Sequence, residues 1–434
     1  MSVFQSLPGF REFYPEDCAL RNFIFNCFRR TAETFGFEEY DAPIVEPTEL
    51  FTAKSGSEII TQLFNFEDKG GRQISLRPEL TPSLARMVGS RAQSMKKPIK
   101  WFSVGEQFRY ERPQKGRLRS FYQFNADLLG DDSIEADAEI IALAIQTLRN
   151  FGLTCNDFHL RLSDRQLWML FIKQHTCDEN CMLAILGIID KLEREEEAKS
   201  MEALEKVCPS MGEKILGDIK NLKSIHSLEG LRKFFEEFKV PSAAVNARIE
   251  EFAQLLARLD SFGLLDFVSI DFGIVRGLAY YTGFVFEIFE RSGQSRALAG
   301  GGRYDDLIGK LGYANLSAVG FAIGDVTLGK ILEEKNLTPK LLKSIHCFIV
   351  YTKKTAAVAM REMMLLRENS VGVDYCLAPA PFSRQLKAAT QAGAKYAIIF
   401  GETEADASCA VVKNMALRSE ELVEFPRIIE VISQ

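Results

Sequence analysis

Near the N-terminus apolar residues recur at helical rather than alternating intervals. Leu20, Phe23, Ile24, Cys27, Phe28 and Phe35 share one face, and Gly36 supplies the stop, which predicts an amphipathic helix. The pattern then shortens. Pro43 to Pro47 reads as extended, Leu63 to Phe66 as a strand entering a turn at Asp68-Lys-Gly70-Gly71, and Gln73 to Arg77 as its return. Thr81-Pro82 predicts a second helix, with the threonine as capping residue and the proline in the first turn. Strands are expected at Ile99 to Phe108 and Ser120 to Leu129, followed by a helix from about Ile134 to Asn150.

Between about Gln174 and Arg258 the texture becomes Glu/Lys-rich with helical periodicity, which reads as an inserted helical module. Strand character returns at Phe267 to Asp271 and Gly283 to Phe289. The glycine cluster Gly300-Gly301-Gly302-Arg303-Tyr304-Asp305 follows, and then a strand at Ala318 to Ile323 running into a helix near Val326. The parts on either side of the insertion are expected to build one antiparallel sheet. Charged residues and Pro339 mark a boundary between Glu333 and Lys343. Beyond it strands at Cys347 to Tyr351, Val371 to Leu377 and Tyr396 to Phe400 alternate with helices at Ala356 to Glu368 and Ser383 to Ala392, the pattern of a small α/β domain. The expected organisation is therefore residues 1–173 and 259–333 as the two parts of an α+β domain, 174–258 as its helical insertion, and 343–434 as a separate α/β domain.

Composition narrows the class. At 434 residues, 47% hydrophobic and 26% charged, the chain is a globular protein of more than one core. Its net charge of -6 excludes indiscriminate nucleic-acid binding while leaving room for a local basic groove on a folded RNA. Nine scattered cysteines fit reduced thiols better than a disulfide scaffold. His175-Thr-Cys177-Asp-Glu-Asn-Cys181 lacks a matching second pair, so no metal site is expected there. With neither a secretory signal nor an apolar run of roughly 20 residues, the expectation is a cytoplasmic protein that binds no membrane.

The densest chemistry lies between Phe108 and Gln123: five cationic side chains, one carboxylate and four aromatics around a Pro/Gly turn. Arginine forks match phosphate oxygens two at a time, and an aromatic face holds a base, although an Arg-rich hairpin is also an ordinary solvated turn. Arg109-Tyr-Glu111 leading to Arg117 resembles motif 2 of the class II aminoacyl-tRNA synthetases, and Arg112-Pro-Gln-Lys-Gly-Arg117 is similar to the wording in histidyl-tRNA synthetases. The resemblance runs over nearly the whole chain. Gly9-Phe-Arg-Glu-Phe-Tyr-Pro15 resembles the family's N-terminal segment, Pro43 to Phe51 its motif 1, Leu76-Arg-Pro-Glu79-Leu-Thr81 its amino-acid loop, and Arg276-Gly-Leu-Ala-Tyr280-Tyr281 to Glu287 its histidine signature.

The resemblance implies a class II synthetase-like catalytic domain on an antiparallel sheet, with an anticodon-binding-like C-terminal domain. It also implies a homodimer through motif 1 and the substrates L-histidine, ATP and tRNA(His), with Mg2+ accompanying ATP. By the same resemblance Arg109 grips the α-phosphate, Glu111 reads the adenine amino group, Phe121 stacks on the ring and Arg117 reaches the distal phosphates. Glu79 and Gln123, with Thr81 close by, hold the substrate ammonium. Asp127 and Tyr281 bracket the imidazole beside Tyr280, and Arg276 acts with Arg109 as the electrophilic catalyst. Gln114, Lys115 and Gly116 face the tRNA acceptor end. Read singly, Arg276 is also an ordinary ion-pair partner, Tyr280 and Tyr281 core residues, and Glu79 a helix-start carboxylate.

Two positions depart from the family. Ala279 stands where most relatives carry aspartate, and Thr327 occupies the motif 3 position of the arginine for the γ-phosphate; a hydroxyl does not supply that charge. Either Arg117, Arg303 or a magnesium ion compensates, or ATP affinity is weakened, or the chain is a non-catalytic relative. Thr327 favours a second reading, a regulatory subunit of synthetase shape that partners a short ATP phosphoribosyltransferase. Arg109, Glu111, the 112–117 loop and the α/β tail favour the enzyme. A class II synthetase for glycine, threonine or proline shares the scaffold but lacks the Arg276 to Glu287 block and Asp127.

Overall fold

The computed structural model describes residues 4–52, 61–111, 118–176, 178–193, 195–238, 242–275, 280–292, 296–339, 345–378 and 380–433. They form two compact units that divide between Thr338 and Pro339. In the first unit the strands are β1 (Glu38–Glu39), β2 (Val45–Pro47), β3 (Phe64–Glu67), β4 (Gln73–Leu76), β5 (Ile99–Phe108), β6 (Ser120–Leu129), β7 (Phe158–Asp164), β8 (Val268–Ile270), β9 (Phe284–Glu290), β10 (Ala299–Arg303) and β11 (Ala318–Gly324). Eight of them make one sheet in the order β1-β5-β6-β11-β10-β9-β7-β8, and β2-β4-β3 make a smaller one.

Strands from both sides of the insertion thus interleave in a single sheet, with β6 pairing β11 across almost two hundred residues of chain. The sheet is antiparallel through its centre, as expected, but parallel at both margins, where β1 joins β5 and β8 joins β7. The strand at 158–164 was not anticipated, although Phe158, Leu160 and Leu162 alternate inward as a half-buried strand requires. Between β7 and β8, helices from Arg165 to Ser261 carry the Glu/Lys-rich texture. They do not form a core of their own: Met182, Ile215, Leu231, Phe252 and Leu259 belong to the same buried cluster as Phe28, Phe124 and Ile141.

Alternation along the central strands gives the sheet two different faces. On one, Phe124 of β6 stacks on Phe28 of the helix Pro15–Thr34 at 4.9 Å and meets Phe321 of β11 edge-on at 5.6 Å. The helix Ile134–Arg149 buries Ile140, Ile141, Leu143, Ala144 and Ile145 in this layer. The other face presents Gln123, Asn125 and Asp127, and it carries the site.

Helix ends differ in detail from the sequence expectation. The first helix starts at Pro15, where Asp17 accepts the Tyr14 N–H at 3.1 Å, five residues before its apolar stripe begins. Thr81 is the first helical residue of Thr81–Gly89 and not its cap; Leu80 holds the cap position without a side-chain bond.

The second unit is a five-stranded sheet ordered β13-β12-β14-β15-β16, with β12 (Cys347–Tyr351), β13 (Val373–Tyr375) and β14 (Tyr396–Phe400) parallel, and β15 (Cys409–Asn414) and β16 (Glu420–Glu424) added antiparallel. Those last two strands were not read from the sequence. Gln385, on the helix Phe382–Gln391, is fully buried and bonds both the N–H and the carbonyl of Tyr351, so it ties helix to sheet, while Arg384 and Lys387 stay exposed.

One buried ion pair anchors the site-bearing sheet. Arg303 at the end of β10 is 5% exposed; its Nε and Nη2 clasp the Asp137 carboxylate at 3.0 and 2.6 Å, and its remaining donors reach Asp305 and the Asp131 and Ser133 carbonyls. Removing one member leaves a charge stranded in the interior. Asp137→Ala is expected to lower unfolding free energy by about 3 kcal/mol in chemical denaturation; a loss below about 1 kcal/mol would show that the other contacts of Arg303 suffice.

Candidate active site

The loop after β4 is held by Arg77, a guanidinium only 1% exposed. It donates to Asp41 at 2.9 Å, to the Ala42 carbonyl at 2.7 Å and to the Glu106 carbonyl at 2.9 Å. Arg109 fastens the next residue, donating from Nε to the Pro78 carbonyl at 3.0 Å. Glu79 is thereby fixed in the interior at 5% exposure, where the Tyr280 hydroxyl donates to it at 2.9 Å. Burial and the Glu79 charge push the Tyr280 phenol well above its ordinary range, so it remains a proton donor.

A second tyrosine–carboxylate pair lies beside the first. Asp127, 3% exposed on β6, accepts from Tyr304 at 2.5 Å. Burial raises the Asp127 carboxyl from 3.8 to about 7, against the pull of the Tyr304 bond. The Tyr280 ring stands 5.1 Å from Tyr281 and 5.8 Å from Tyr304, so three tyrosines wall the space between the two acids.

Strand register creates that space. Gln123, Asn125 and Asp127 on β6 pair with Gly324, Ala322 and Gly320 on β11, and the next strand offers Gly300 opposite Ala322 and Gly302 opposite Gly320. A row of polar side chains therefore faces rows without bulk. At Gly320 the need is steric, since a Cβ there would overlap the Asp127 carboxylate. Gly302 is likewise closed to a side chain, its Cβ position lying 2.6 Å from the Phe284 carbonyl and 3.0 Å from the Tyr281 ring.

Two cavities result. A chamber of about 60 Å³ is lined by Glu79, Thr81, Gln123, Asn125, Asp127, Tyr280, Tyr281 and Tyr304. A wider cleft of about 260 Å³ runs past Arg109, Glu111, Phe121, Arg296 and Thr327. Arg109, Gln123, Gly300 and Ala322 line both, so the cavities meet at a guanidinium. That guanidinium is 5.3 Å from the Phe121 ring centroid.

The expected site residues Glu79, Thr81, Arg109, Glu111, Phe121, Gln123, Asp127, Tyr280 and Tyr281 are thus brought together. Arg117, Gln114, Lys115, Gly116, Arg276 and Ala279 lie outside the described residues. Three polar lining residues were not singled out from the sequence: Asn125, Tyr304 and Arg296. The alternation Gln123-x-Asn125-x-Asp127 was the available signal for the first. Asn125 Oδ1 is buried without a protein partner among the described residues, an acceptor available to a bound N–H. Arg303, expected as a possible replacement for the motif 3 arginine, is committed to Asp137 and lines neither cavity.

Asp325 explains the altered start of the helix Asp325–Glu334. Its carboxylate accepts the Tyr122 N–H at 2.9 Å and pairs with Arg11 at 2.7 Å, locking the helix start onto β6 and the N-terminal segment. Thr327 follows in the first turn and lines the cleft.

A family profile described as histidyl-tRNA synthetase matches residues 9–327. A histidine–tRNA ligase of Opitutus terrae is 46% identical over 425 residues, 97% of this chain and 96% of the relative. The chloroplastic/mitochondrial histidine–tRNA ligase of Arabidopsis thaliana is 35% identical over 408 residues, 93% of this chain and 82% of the relative. Among solved structures, a histidyl-tRNA synthetase from Nostoc sp. aligns with a TM-score of 0.77 at 24% identity, covering 100% of this chain and 99% of its own. An ATP phosphoribosyltransferase regulatory subunit/histidyl-tRNA synthetase from Bacillus halodurans gives 0.73 at 20%, covering 92% and 99%. At these identities the structural likenesses speak to fold alone.

The buried acid makes the site sensitive to pH. Because the folded Asp127 binds a proton up to about pH 7 and the unfolded one only up to about 3.8, unfolding free energy should fall as pH rises through that interval and level off above it. Carboxyl NMR should show a titration centred near 7 that moves higher in Tyr304→Phe, and Asp127→Asn should remove its share of the stability slope. A midpoint near 4 would refute this account.

Proposed function

The chain belongs to the histidyl-tRNA synthetase family and functions as a histidine–tRNA ligase, and we propose that its two joined cavities hold the two small substrates, histidine under the tyrosines and ATP in the cleft. The fold is shared with an ATP phosphoribosyltransferase regulatory subunit/histidyl-tRNA synthetase, so shape does not choose between those readings. Near-full-length identity of 46% to a histidine–tRNA ligase favours the enzyme. The observation that carries the site assignment is the junction at Arg109: an acid-lined chamber for an amino acid opens onto an aromatic and cationic cleft at one guanidinium.

In this reading Glu79 and Gln123, with Thr81, bind the α-ammonium, and Asp127 with Tyr281 brackets the imidazole beside Tyr280. A carboxyl that titrates near neutrality is matched to a ring whose ordinary value is near 6.5, so proton sharing between them costs little. A chamber built to hydrogen-bond both ring nitrogens rejects an apolar isostere, which would leave its buried polar groups unpaired. Phe121 stacks on adenine, Glu111 reads its amino group and Arg117 reaches the distal phosphates. A histidine carboxylate oxygen attacks the α-phosphorus as its bond to pyrophosphate breaks. Arg109, helped by Arg276, neutralises the charge that accumulates there. A hydroxyl of the terminal tRNA ribose then attacks the histidyl carbonyl carbon and AMP leaves.

Mg2+ enters as the counterion of the triphosphate. Among the described residues no cluster of three His, Cys, Asp or Glu side chains is placed to cage an ion. A hard cation held chiefly by phosphate oxygens and water needs no such cage, and Glu111 is the carboxylate lining the cleft. The acceptor end of tRNA(His) is assigned to Gln114, Lys115 and Gly116. In the second unit, read as the anticodon-binding domain, exposed Lys353, Arg384 and Lys387 supply phosphate contacts. Unbridged thiols among the described cysteines fit a cytoplasmic setting, and no described helix is long and apolar enough to cross a membrane.

Purified protein should catalyse histidine-dependent exchange of pyrophosphate into ATP; absence of exchange from folded protein would overturn the activation scheme. In the same assay Asp127→Ala should raise the KM for histidine at least about tenfold, roughly 1.4 kcal/mol, with that for ATP nearly unchanged. Equal losses for both would remove Asp127 from the imidazole site. We also assign the face of β2-β4-β3 to a second copy of the chain: Ile44, Val45 and Phe66 are 45%, 41% and 47% exposed within or beside motif 1. Sedimentation should give a dimer for the natural protein and a monomer for Val45→Glu/Phe66→Glu, and a monomeric natural protein would exclude the assignment.

A further inference from the structure

Asn125 lines the chamber but has no part in the substrate contacts assigned above. It lies on β6 between Gln123 and Asp127 and is 5% exposed, and its Oδ1 is buried without a hydrogen-bond partner among the described residues. Its register partners on the two neighbouring strands, Ser103 on β5 and Ala322 on β11, are both small. A buried acceptor left without a donor costs stability, so a residue of this kind is explained by a ligand that donates to it.

Register fixes which end of the chamber that acceptor serves. Asp127 shares a row with Gly320 and Gly302, and this row lies under the tyrosines: Tyr304 donates to Asp127, and the Cβ position of Gly302 is 3.0 Å from the Tyr281 ring. Asn125 shares the next row with Ala322 and Gly300, and those two line the chamber and the cleft alike. Asn125 therefore stands in the row where the two cavities join, toward Arg109 and Gln123, which also line both. A carboxylate that attacks the α-phosphorus has to lie at this junction, and the α-ammonium is bonded to the carbon next to it. We infer that Asn125 Oδ1 accepts a hydrogen bond from the α-ammonium of histidine and so selects a ligand with a free amine. An ammonium offers three N–H donors, of which Glu79 and Gln123 engage two in the proposed reading. The Glu79 carboxylate balances the charge, and a neutral amide adds an acceptor without leaving surplus negative charge beside the incoming phosphates.

The inference rests on the proposed placing of histidine in the chamber, and its test separates the two. Ligand-observed NMR, which registers millimolar binding, compares histidinol, which keeps the amine and the ring, with 3-(imidazol-4-yl)propionate, which keeps the ring and the carboxylate but lacks the amine. Asn125→Ala should weaken histidinol at least about tenfold while the propionate changes less than about twofold, and Asn125→Asp, which keeps the acceptor, should recover histidinol binding. The KM for histidine in pyrophosphate exchange should rise with the histidinol loss, that for ATP staying within about twofold. Because the acceptor is unpartnered without ligand, Asn125→Ala should melt no lower than the natural protein. Equal weakening of both analogues, unchanged histidinol affinity, or a clear fall in ligand-free melting temperature overturns the role of Asn125. The placing of histidine itself fails if the natural protein binds neither analogue, or if Asp127→Ala leaves both affinities unchanged.

Discussion

Glu79 and Asp127 are carboxylates buried on one chamber, and the rest of the active-site architecture follows from the need to hold them there. An unpartnered buried carboxylate would protonate or draw in water. A cation as partner would compete with the substrate's own ammonium and imidazole. Tyrosine hydroxyls ease both problems, since a neutral donor satisfies one oxygen and cancels no charge, and the Tyr304 bond holds the Asp127 carboxyl lower than burial alone would. Tyr280 and Tyr304 do this as a matched pair. Both lie after the helical insertion, whereas both acids lie before it, so the chamber exists only when β6 and β11 have paired. Forming the sheet and forming the site are one event.

Buried cations that tie the sheet together are kept apart from those that line the cleft. Arg77 and Arg303 are buried and saturated with carbonyls and carboxylates, one holding the Glu79 loop and the other the end of β10. Arg109 and Arg296 line the cleft. Residue type alone does not distinguish these groups; burial does.

That distinction also marks what was legible in the sequence. Long strands with strong alternation, Ile99–Phe108 and Ser120–Leu129, could be read to the residue because their inward positions are apolar on one face and chemically marked on the other. The two-residue margin strand β1 is too short for a pattern, and β15 and β16 bury only Ala410, Val412 and Val423, so tertiary pairing determines them. The pocket acids and tyrosines were legible through motif order. Tyr304 as the donor to Asp127 was not, because that contact spans 177 positions and depends on register. Arg303 was offered, with Arg117 or a magnesium ion, as a compensation for Thr327, whereas strand parity turns it toward Asp137.

The altered motif 3 shows how one change of charge propagates. An arginine in the first turn of a helix opposes the positive end of that helix and needs an anionic ligand to be comfortable. Here the turn carries Asp325 and Thr327. The carboxylate suits the helix start, and by taking the Tyr122 N–H and pairing with Arg11 it binds three segments of chain together before any nucleotide arrives. Stability gained in this way is independent of ligand. Under the proposed reading of the cleft the phosphates meet a hydroxyl on this wall and the Asp325–Arg11 pair is already neutralised, so the demands of folding and of binding fall on different residues.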